Sequence, residues 1–82
     1  MSNQTILTLY MRVGCHLCET MQQQLALLQQ QYHFSINIID IDADNDLRMR
    51  YGGRIPVVAM GEQEICHYYL NEAAVRKCLK TL

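Results

Sequence analysis

Two cysteines three residues apart, Cys15 and Cys18, constrain the fold more than any other feature of this chain. They follow an apolar run over residues 5–11, whose Ile, Leu and Tyr content predicts a buried strand. After the pair, apolar residues recur at intervals of three and four, which predicts an amphipathic helix. Its expected buried face consists of Cys18, Met21, Leu25, Leu28 and Tyr32. A strand, a CxxC motif and a helix in this order indicate redox chemistry and not half of a zinc site.

The composition allows one small domain and argues against several classes of partner. The 82 residues, half of them apolar and 18% charged, are expected to form a single domain over residues 1–82 with a modest core. A net charge of −1 without a basic cluster argues against binding to nucleic acid or to an anionic membrane. No apolar stretch has the length of a signal peptide or a membrane span, so we expect a cytoplasmic protein. In that reducing compartment Cys15 and Cys18 would be the functional pair, with Cys66 and Cys78 as buried core thiols.

The middle of the chain predicts a second strand and a short helix. Residues 34–38 alternate apolar and polar side chains, which is typical of a strand. Asp42 or Asp44 is expected to cap a helix that runs to Tyr51, because a carboxylate accepts hydrogen bonds from the free N–H groups there. The glycines at residues 52–53 are expected to end this helix in the left-handed conformation.

Two further strands and a last helix complete the predicted order. Residues 56–60 and 63–68 flank a glycine turn at residues 61–62, which predicts a hairpin. Asn71 is expected to cap the last helix, whose buried face would reach Leu82. The order is β-α-β-α-β-β-α, and the first two strands should be parallel because a helix joins them. The hairpin then makes the four-stranded sheet mixed, in an α/β fold flanked by helices.

Three stretches of sequence, in this order, resemble the thioredoxin superfamily and, within it, the small glutaredoxin-like proteins. They are residues 9–18, 38–42 and 51–57. The resemblance implies a thioredoxin-like (glutaredoxin-like) fold and a thiol–disulfide oxidoreductase without a cofactor. In such a protein Cys15 attacks a disulfide, Cys18 resolves the mixed disulfide, and Pro56 follows a cis peptide bond beside them.

The same resemblance marks candidate substrate-binding residues. Arg12 stands where glutaredoxins usually carry a lysine. The backbone of Ile55, next to Pro56, is expected to pair with an extended segment of the partner. Arg54 is a candidate to contact a substrate carboxylate, and an ordinary solvated arginine is the alternative.

Two departures from the glutaredoxin pattern bear on the partner. The residues between the cysteines are His16-Leu17, not the Pro-Tyr common in glutaredoxins. Glutaredoxins also carry two glycines and an aspartate before the last helix, where backbone N–H groups hold glutathione, whereas residues 66–72 contain no glycine. Side chains there should crowd the tripeptide, and Glu72 should repel one of its carboxylates, so we expect glutathione to bind poorly. The expected partner is a disulfide-containing protein or another small thiol.

The expected reactivity of Cys15 follows from its place at the start of a helix. Unpaired N–H groups and the helix dipole lower a thiol pKa there from about 8.5 into the range of roughly 3.5–7.5. Arg12, and His16 when protonated, would add positive charge. A binding or metal-binding module of the same fold, without redox catalysis, is the alternative. The aspartates within residues 40–46 lack the glycine and glutamate spacing of a calcium loop and are expected to act as caps.

Overall fold

The structure, a computed structural model, describes residues 5–80. Leu82, the last expected core position of the final helix, lies outside the described residues. The elements are β1 (Thr5–Met11), α1 (His16–Leu28), β2 (Phe34–Asp40), a single 3₁₀ turn (Ile41–Ala43), α2 (Asn45–Tyr51), β3 (Val57–Met60), β4 (Gln63–His67) and α3 (Glu72–Lys80). This is the predicted β-α-β-α-β-β-α order with the 3₁₀ turn added.

The four strands form one mixed sheet in the order β2-β1-β3-β4. β1 and β2 are parallel, with Thr5 opposite Phe34 and Met11 opposite Asp40. β3 is antiparallel to both of its neighbours, β1 and β4. The predicted mixed α/β fold is therefore confirmed.

Alternating side chains of the central strands bury two clusters on opposite faces of the sheet. Leu7 and Leu9 of β1 are fully buried in the larger cluster, which also contains Met21 of α1 and Val75 of α3. Tyr10 follows Leu9 in β1, so its side chain lies on the opposite face and packs against a smaller cluster formed by Ile41, Tyr51 and Val57. Thus α1 and α3 cover one face of the sheet, and α2 covers the other.

The predicted extent of α1 is wrong, and so is the predicted left-handed conformation of the glycines that end α2. α1 ends at Leu28, so Tyr32 lies in the turn beyond it, where its ring still packs against the core and its hydroxyl accepts a hydrogen bond from Arg76 at 3.3 Å. Gly52 keeps a right-handed φ of −55°, and Gly53 is not left-handed either. Gly52 is required for space, because an added Cβ would collide with the carbonyl oxygen of Arg48.

One side chain expected in the core, Cys78, and one apolar side chain of β2 are partly exposed. Ile38 is 44% exposed, although Phe34 on the same face of β2 is buried. Cys66 is buried as predicted, whereas Cys78 is only half-buried because it borders an open surface depression beside Met60 and Ile65. No helix within residues 5–80 is long and apolar enough to span a membrane.

Candidate functional site

The CxxC motif lies at the junction between β1 and α1. Gly14, with a φ of +82°, turns the chain after β1 in a conformation that glycine adopts without strain. Cys15 then caps α1 with extended backbone angles, and its Sγ accepts a hydrogen bond from the backbone N–H of Cys18 at 3.1 Å. The Sγ atoms of Cys15 and Cys18 are bonded as a disulfide, with Cα atoms 5.2 Å apart.

The two sulfurs of the motif differ in accessibility. Cys18 is 1% exposed and belongs to the buried face of α1, as the sequence predicts. Cys15 is half-buried, and its neighbours Val13 and His16 are exposed. A reagent from solvent therefore approaches the Cys15 side of the disulfide, while the protein shields Cys18.

Arg12, which lies between β1 and the CxxC motif, forms an ion pair with an aspartate. Its Nε lies 3.1 and 3.0 Å from the two carboxylate oxygens of Asp42, and both side chains are about two-fifths exposed, 40% and 42%. The backbone carbonyl of Arg12 also accepts a hydrogen bond from the Cys15 N–H at 3.3 Å. The positive charge that the sequence placed near Cys15 is thus shared with a carboxylate.

The structure assigns the neighbouring aspartates to caps. Asp44 accepts hydrogen bonds from two N–H groups of the first turn of α2, and Asp40 caps the 3₁₀ turn by accepting from the Asp42 N–H. The prediction of a capping role is confirmed for Asp44, while Asp42 pairs with Arg12 instead.

The Ile55–Pro56 peptide bond is cis, as expected. Tyr10 pairs with Val57 in antiparallel strands. The end of β1 and the start of β3 therefore lie at the same end of the sheet. The CxxC turn and the Pro56 loop therefore share one end of the molecule. Pro56 itself is fully buried.

Tyr68 fastens the Pro56 loop and was not predicted as a site residue. Its N–H donates to the carbonyl of Pro56 at 2.9 Å, and its hydroxyl donates to the carbonyl of Gly53. Its φ of +63° ends β4 one residue earlier than the sequence predicts. The available signal in the sequence was the absence of glycine from residues 66–72, which include Tyr68.

Arg54, the candidate for a substrate carboxylate, has a partner within the protein. Its Nη1 lies 2.8 Å from Glu64, its Nη2 donates to the Arg50 carbonyl at 2.9 Å, and its guanidinium lies over the ring of Tyr51. Glu64 also contacts Nδ1 of His67 at 2.8 Å. With 42% of its side chain exposed, Arg54 can reach a ligand only in competition with Glu64.

Cys66 has the opposite environment from Cys15. Burial raises the pKa of the Cys66 thiol above its ordinary value, and the charge of Glu64 adds to this, against a backbone hydrogen bond at Asn71 that lowers it. The neutral thiol is therefore the stable form of Cys66. Within residues 5–80, no three His, Cys, Asp or Glu side chains come together as a metal site.

Residues 6–80 match the family described as Glutaredoxin-like domain (DUF836). The chain belongs to this glutaredoxin-like family. A relative from Mycobacterium tuberculosis, described as an uncharacterized protein, is 32% identical over 70 residues, which cover 79% of this chain and 72% of the relative.

Solved structures agree with this assignment. The solution structure of protein Ne2328 from Nitrosomonas europaea is 38% identical, with a TM-score of 0.83, over 96% of this chain and 99% of that one. The oxidised mitochondrial thioredoxin 3 from Saccharomyces cerevisiae is 24% identical, with a TM-score of 0.66, over 99% and 81% of the two chains, and shares the fold. A glutaredoxin-like domain whose CxxC sulfurs lie at disulfide distance supports a thiol–disulfide redox role for this glutaredoxin-like protein.

Proposed function

We propose that this protein is a thiol–disulfide oxidoreductase that uses Cys15 as the nucleophile and Cys18 as the resolving thiol. The observation that carries the proposal is the hydrogen bond from the Cys18 N–H to the Cys15 sulfur, at the N-cap of a 13-residue helix. In the reduced protein the same N–H stabilises a thiolate on Cys15, and the free N–H groups and dipole of α1 add to this. A thiolate is the reactive form in disulfide exchange.

The proposed reaction moves two electrons in two exchange steps. The Cys15 thiolate attacks one sulfur of a substrate disulfide, forms a mixed disulfide and releases the other substrate sulfur as a thiolate. Cys18 loses its proton and attacks the Cys15 sulfur, which releases the second substrate thiolate and closes the Cys15–Cys18 disulfide. The substrate is reduced, the protein is oxidised, and a separate thiol or dithiol returns the protein to its reduced form.

A protein disulfide is the proposed substrate, with the backbone of Ile55 beside Pro56 as the place where an extended substrate segment pairs. Arg12 and Arg54 flank this edge as candidate contacts, although each is engaged by a carboxylate of the protein. Glutathione fits less well, because Asn71 accepts a hydrogen bond from the Ala74 N–H at 3.1 Å and so occupies a donor that would otherwise bind an anion. We place the function in a reducing compartment, where the dithiol form is maintained.

Trapping tests this proposal directly. With Cys18→Ser, the attack by Cys15 still proceeds but resolution does not, so substrate proteins from a cell extract should remain attached through a disulfide and be released by dithiothreitol. Cys15→Ser/Cys18→Ser is the negative control, and Cys78→Ser is the matched control for loss of a thiol outside the motif. Equal capture by Cys18→Ser and the double variant would reject the mechanism. One tightly bound zinc per reduced chain, without exchange activity, would favour the metal-binding alternative.

A further inference from the structure

The outer edge of β2 is open along most of its length. Among residues 5–80, β2 has β1 as its neighbour on one side and no strand on the other. Every second residue of such a strand turns its backbone N–H and C=O away from the sheet. The Phe34 carbonyl accepts a hydrogen bond from the side chain of Gln29 at 3.0 Å, whereas no described loop or helix bonds to the backbone of residues 35–39. These residues therefore present free backbone donors and acceptors.

β2 lacks the features that usually keep an edge strand from pairing with another chain. Edge strands are commonly protected by a proline, a bulge or a charged side chain. Residues 34–39 contain no proline and no charged residue, and the register with β1 runs without a shift to Asp40. The opposite edge, β4, is different, because its register with β3 is irregular and it carries the charged Glu64. The protein thus protects one edge of its sheet and leaves the other open.

Ile38 adds an exposed apolar side chain to the open edge. It is 44% exposed, whereas Ile36 on the same face of β2 packs against the larger core cluster. Asn37, between them in sequence, is exposed on the other face. An apolar side chain beside free backbone groups favours contact with a further strand, because cross-strand pairs stabilise a sheet.

The charge of Asp40 decides which pairing of two such edges is favourable. In an antiparallel pair centred on Asn37, Asp40 lies opposite the second copy's Phe34, and the two aspartates are about 20 Å apart. A parallel pair in register would place the aspartates side by side, where like charges destabilise the sheet. The antiparallel pair also sets Ile36 opposite the second copy's Ile38 and Asn37 opposite itself. The edge is therefore complementary to a second copy of itself.

The adjoining side of α1 suits the same arrangement. Leu17 and Gln24 face the segment before α3, so Gln22 and Ala26 lie on the other side of the helix, towards β2. Antiparallel pairing of the β2 edges brings the two copies of this side together, since α1 lies on the same face of the joined sheet in both chains. Apart from Glu19 at its beginning, this side carries no charge among the described residues that line it. Its burial therefore leaves few charges without hydration.

We propose that the open edge of β2 binds a second copy of this chain, in an antiparallel pair about a two-fold axis at Asn37, and so joins two four-stranded sheets into one. A specific interface usually draws about 20–30 residues from each partner. The paired strand and the side of α1 supply fewer, so the dimer is weak, with a dissociation constant on the order of tens of micromolar. Because antiparallel pairing reverses the second copy, the two CxxC motifs lie at opposite ends of the joined sheet and both stay accessible. The inference does not depend on the proposed exchange function.

Sedimentation equilibrium measures the dimer and locates its interface. In dithiothreitol, which excludes disulfides between chains, the weight-average mass should rise from near one chain to near two between about 5 and 500 μM. Ile38→Lys places a charge twice in a symmetric interface and should raise the dissociation constant at least about tenfold. Met49→Lys is the matched control, because it makes the same change in charge at an apolar side chain that is 85% exposed on α2, and it should leave the constant unchanged. Thermal unfolding followed by circular dichroism checks that both variants are folded.

Two outcomes of this experiment would overturn the proposal. Unmodified protein that remains monomeric at about 500 μM would reject the dimer and leave the β2 edge to a strand of another protein. A dimer that Ile38→Lys and Met49→Lys weaken equally, or not at all, would place the interface on a different surface.

A cysteine introduced at the two-fold axis tests the register. The background carries serine in place of both CxxC cysteines and of Cys78. With Asn37→Cys, the Cα atoms at the axis are about 4.5–5.5 Å apart, within the reach of a disulfide. Ser35→Cys is the matched control on the same strand, because Ser35 lies opposite the second copy's Ile39 and its two copies are about 13 Å apart. Under mild oxidation Asn37→Cys should form a disulfide-linked dimer at least about tenfold faster than Ser35→Cys. Equal rates would reject the proposed pairing.

Discussion

Cys15 and Cys66 carry the same thiol in two contrasting environments. Cys15 caps α1 beyond the end of β1, accepts a hydrogen bond from a backbone N–H and is reachable from solvent. Cys66 lies within β4, is 9% exposed, and has a pKa raised by burial. The chemistry of a cysteine here depends on the electrostatics of its position, because a helix N-terminus favours the thiolate and an apolar core favours the thiol.

Substitution of Cys15 should have the largest effect on the rate of disulfide exchange, and substitution of Cys66 almost none. Cys15→Ser should reduce the rate of disulfide exchange by about a thousandfold or more, since a serine hydroxyl does not attack a disulfide at neutral pH. Cys66→Ala, measured in the same assay, should stay within about twofold of the unmodified protein, since Cys66 is protonated and enclosed. Comparable losses in the two variants would show that the environments do not divide the roles in this way.

The next effect concerns which thiols reach Cys15. Reduced glutathione should reduce the oxidised protein at least about tenfold more slowly than a small uncharged monothiol at the same thiol concentration, because residues 66–72 contain no glycine and carry side chains where glutaredoxins hold the tripeptide against the backbone. Stopped-flow kinetics on the oxidised protein measure both rates. Fast, saturable reduction by glutathione would mean that the exposed side of Cys15 holds a tripeptide site after all.

A smaller effect appears in the pH dependence of stability through Cys66. Since its pKa is raised on folding, the folded state holds this proton at pH values where the unfolded chain loses it. Below the pKa of the unfolded thiol, Cys66 therefore does not affect the free energy of unfolding. As the pH rises above about 8.5, loss of the proton from the unfolded chain lowers the free energy of unfolding. Urea unfolding between neutral pH and pH ~10 should show a flatter decline in the free energy of unfolding for Cys66→Ala than for the unmodified protein. Parallel declines would argue that Cys66 is no more enclosed than an ordinary thiol.

The smallest effect tests the charge beside Cys15. Asp42→Asn removes the carboxylate that pairs with Arg12, so the net charge near the CxxC turn becomes more positive and should favour the Cys15 thiolate. Alkylation of Cys15 in the reduced protein at neutral pH and low salt should become about twofold faster, and the gain should disappear at high ionic strength. Asp46→Asn makes the same change in charge on α2 and should leave the rate unchanged. A rate insensitive to both substitutions would assign Arg12 a structural role only.

The local features of the site were predictable from the sequence. The strand pattern before Cys15, the helical spacing after it and the glycine at residue 14 determine where α1 begins and which thiol turns inward. Asn71 and Asp44 were also identified as caps, because a cap acts on N–H groups two or three residues away. These predictions succeed because each depends on residues close together in the chain.

Contacts between distant residues were not predictable in the same way. The partner of Arg12 lies 30 positions along the chain, and the hydroxyl of Tyr68 bonds to a carbonyl 15 positions earlier. The conformation expected of Gly52 was wrong because a steric limit at the Arg48 carbonyl, and not a need for left-handed backbone, selects glycine there. Ile38 is exposed while Phe34 on the same face of β2 is buried, a difference that alternation along the strand does not reveal.

The sequence alone determined the order of elements and the placement of the CxxC motif at a helix start, since periodicity, capping and turn residues act over a few positions. The resemblance to glutaredoxins rested on residues 9–18, 38–42 and 51–57. Tertiary structure decided which groups surround the motif. Pairing of β1 with β3 brings the Pro56 loop to the same end of the sheet as Cys15. The chain after β4 places Tyr68 and Tyr69 beside α1. Tertiary structure also decides which carboxylates pair with Arg12 and Arg54, because the positions of Asp42 and Glu64 depend on how the strands pair and the helices pack.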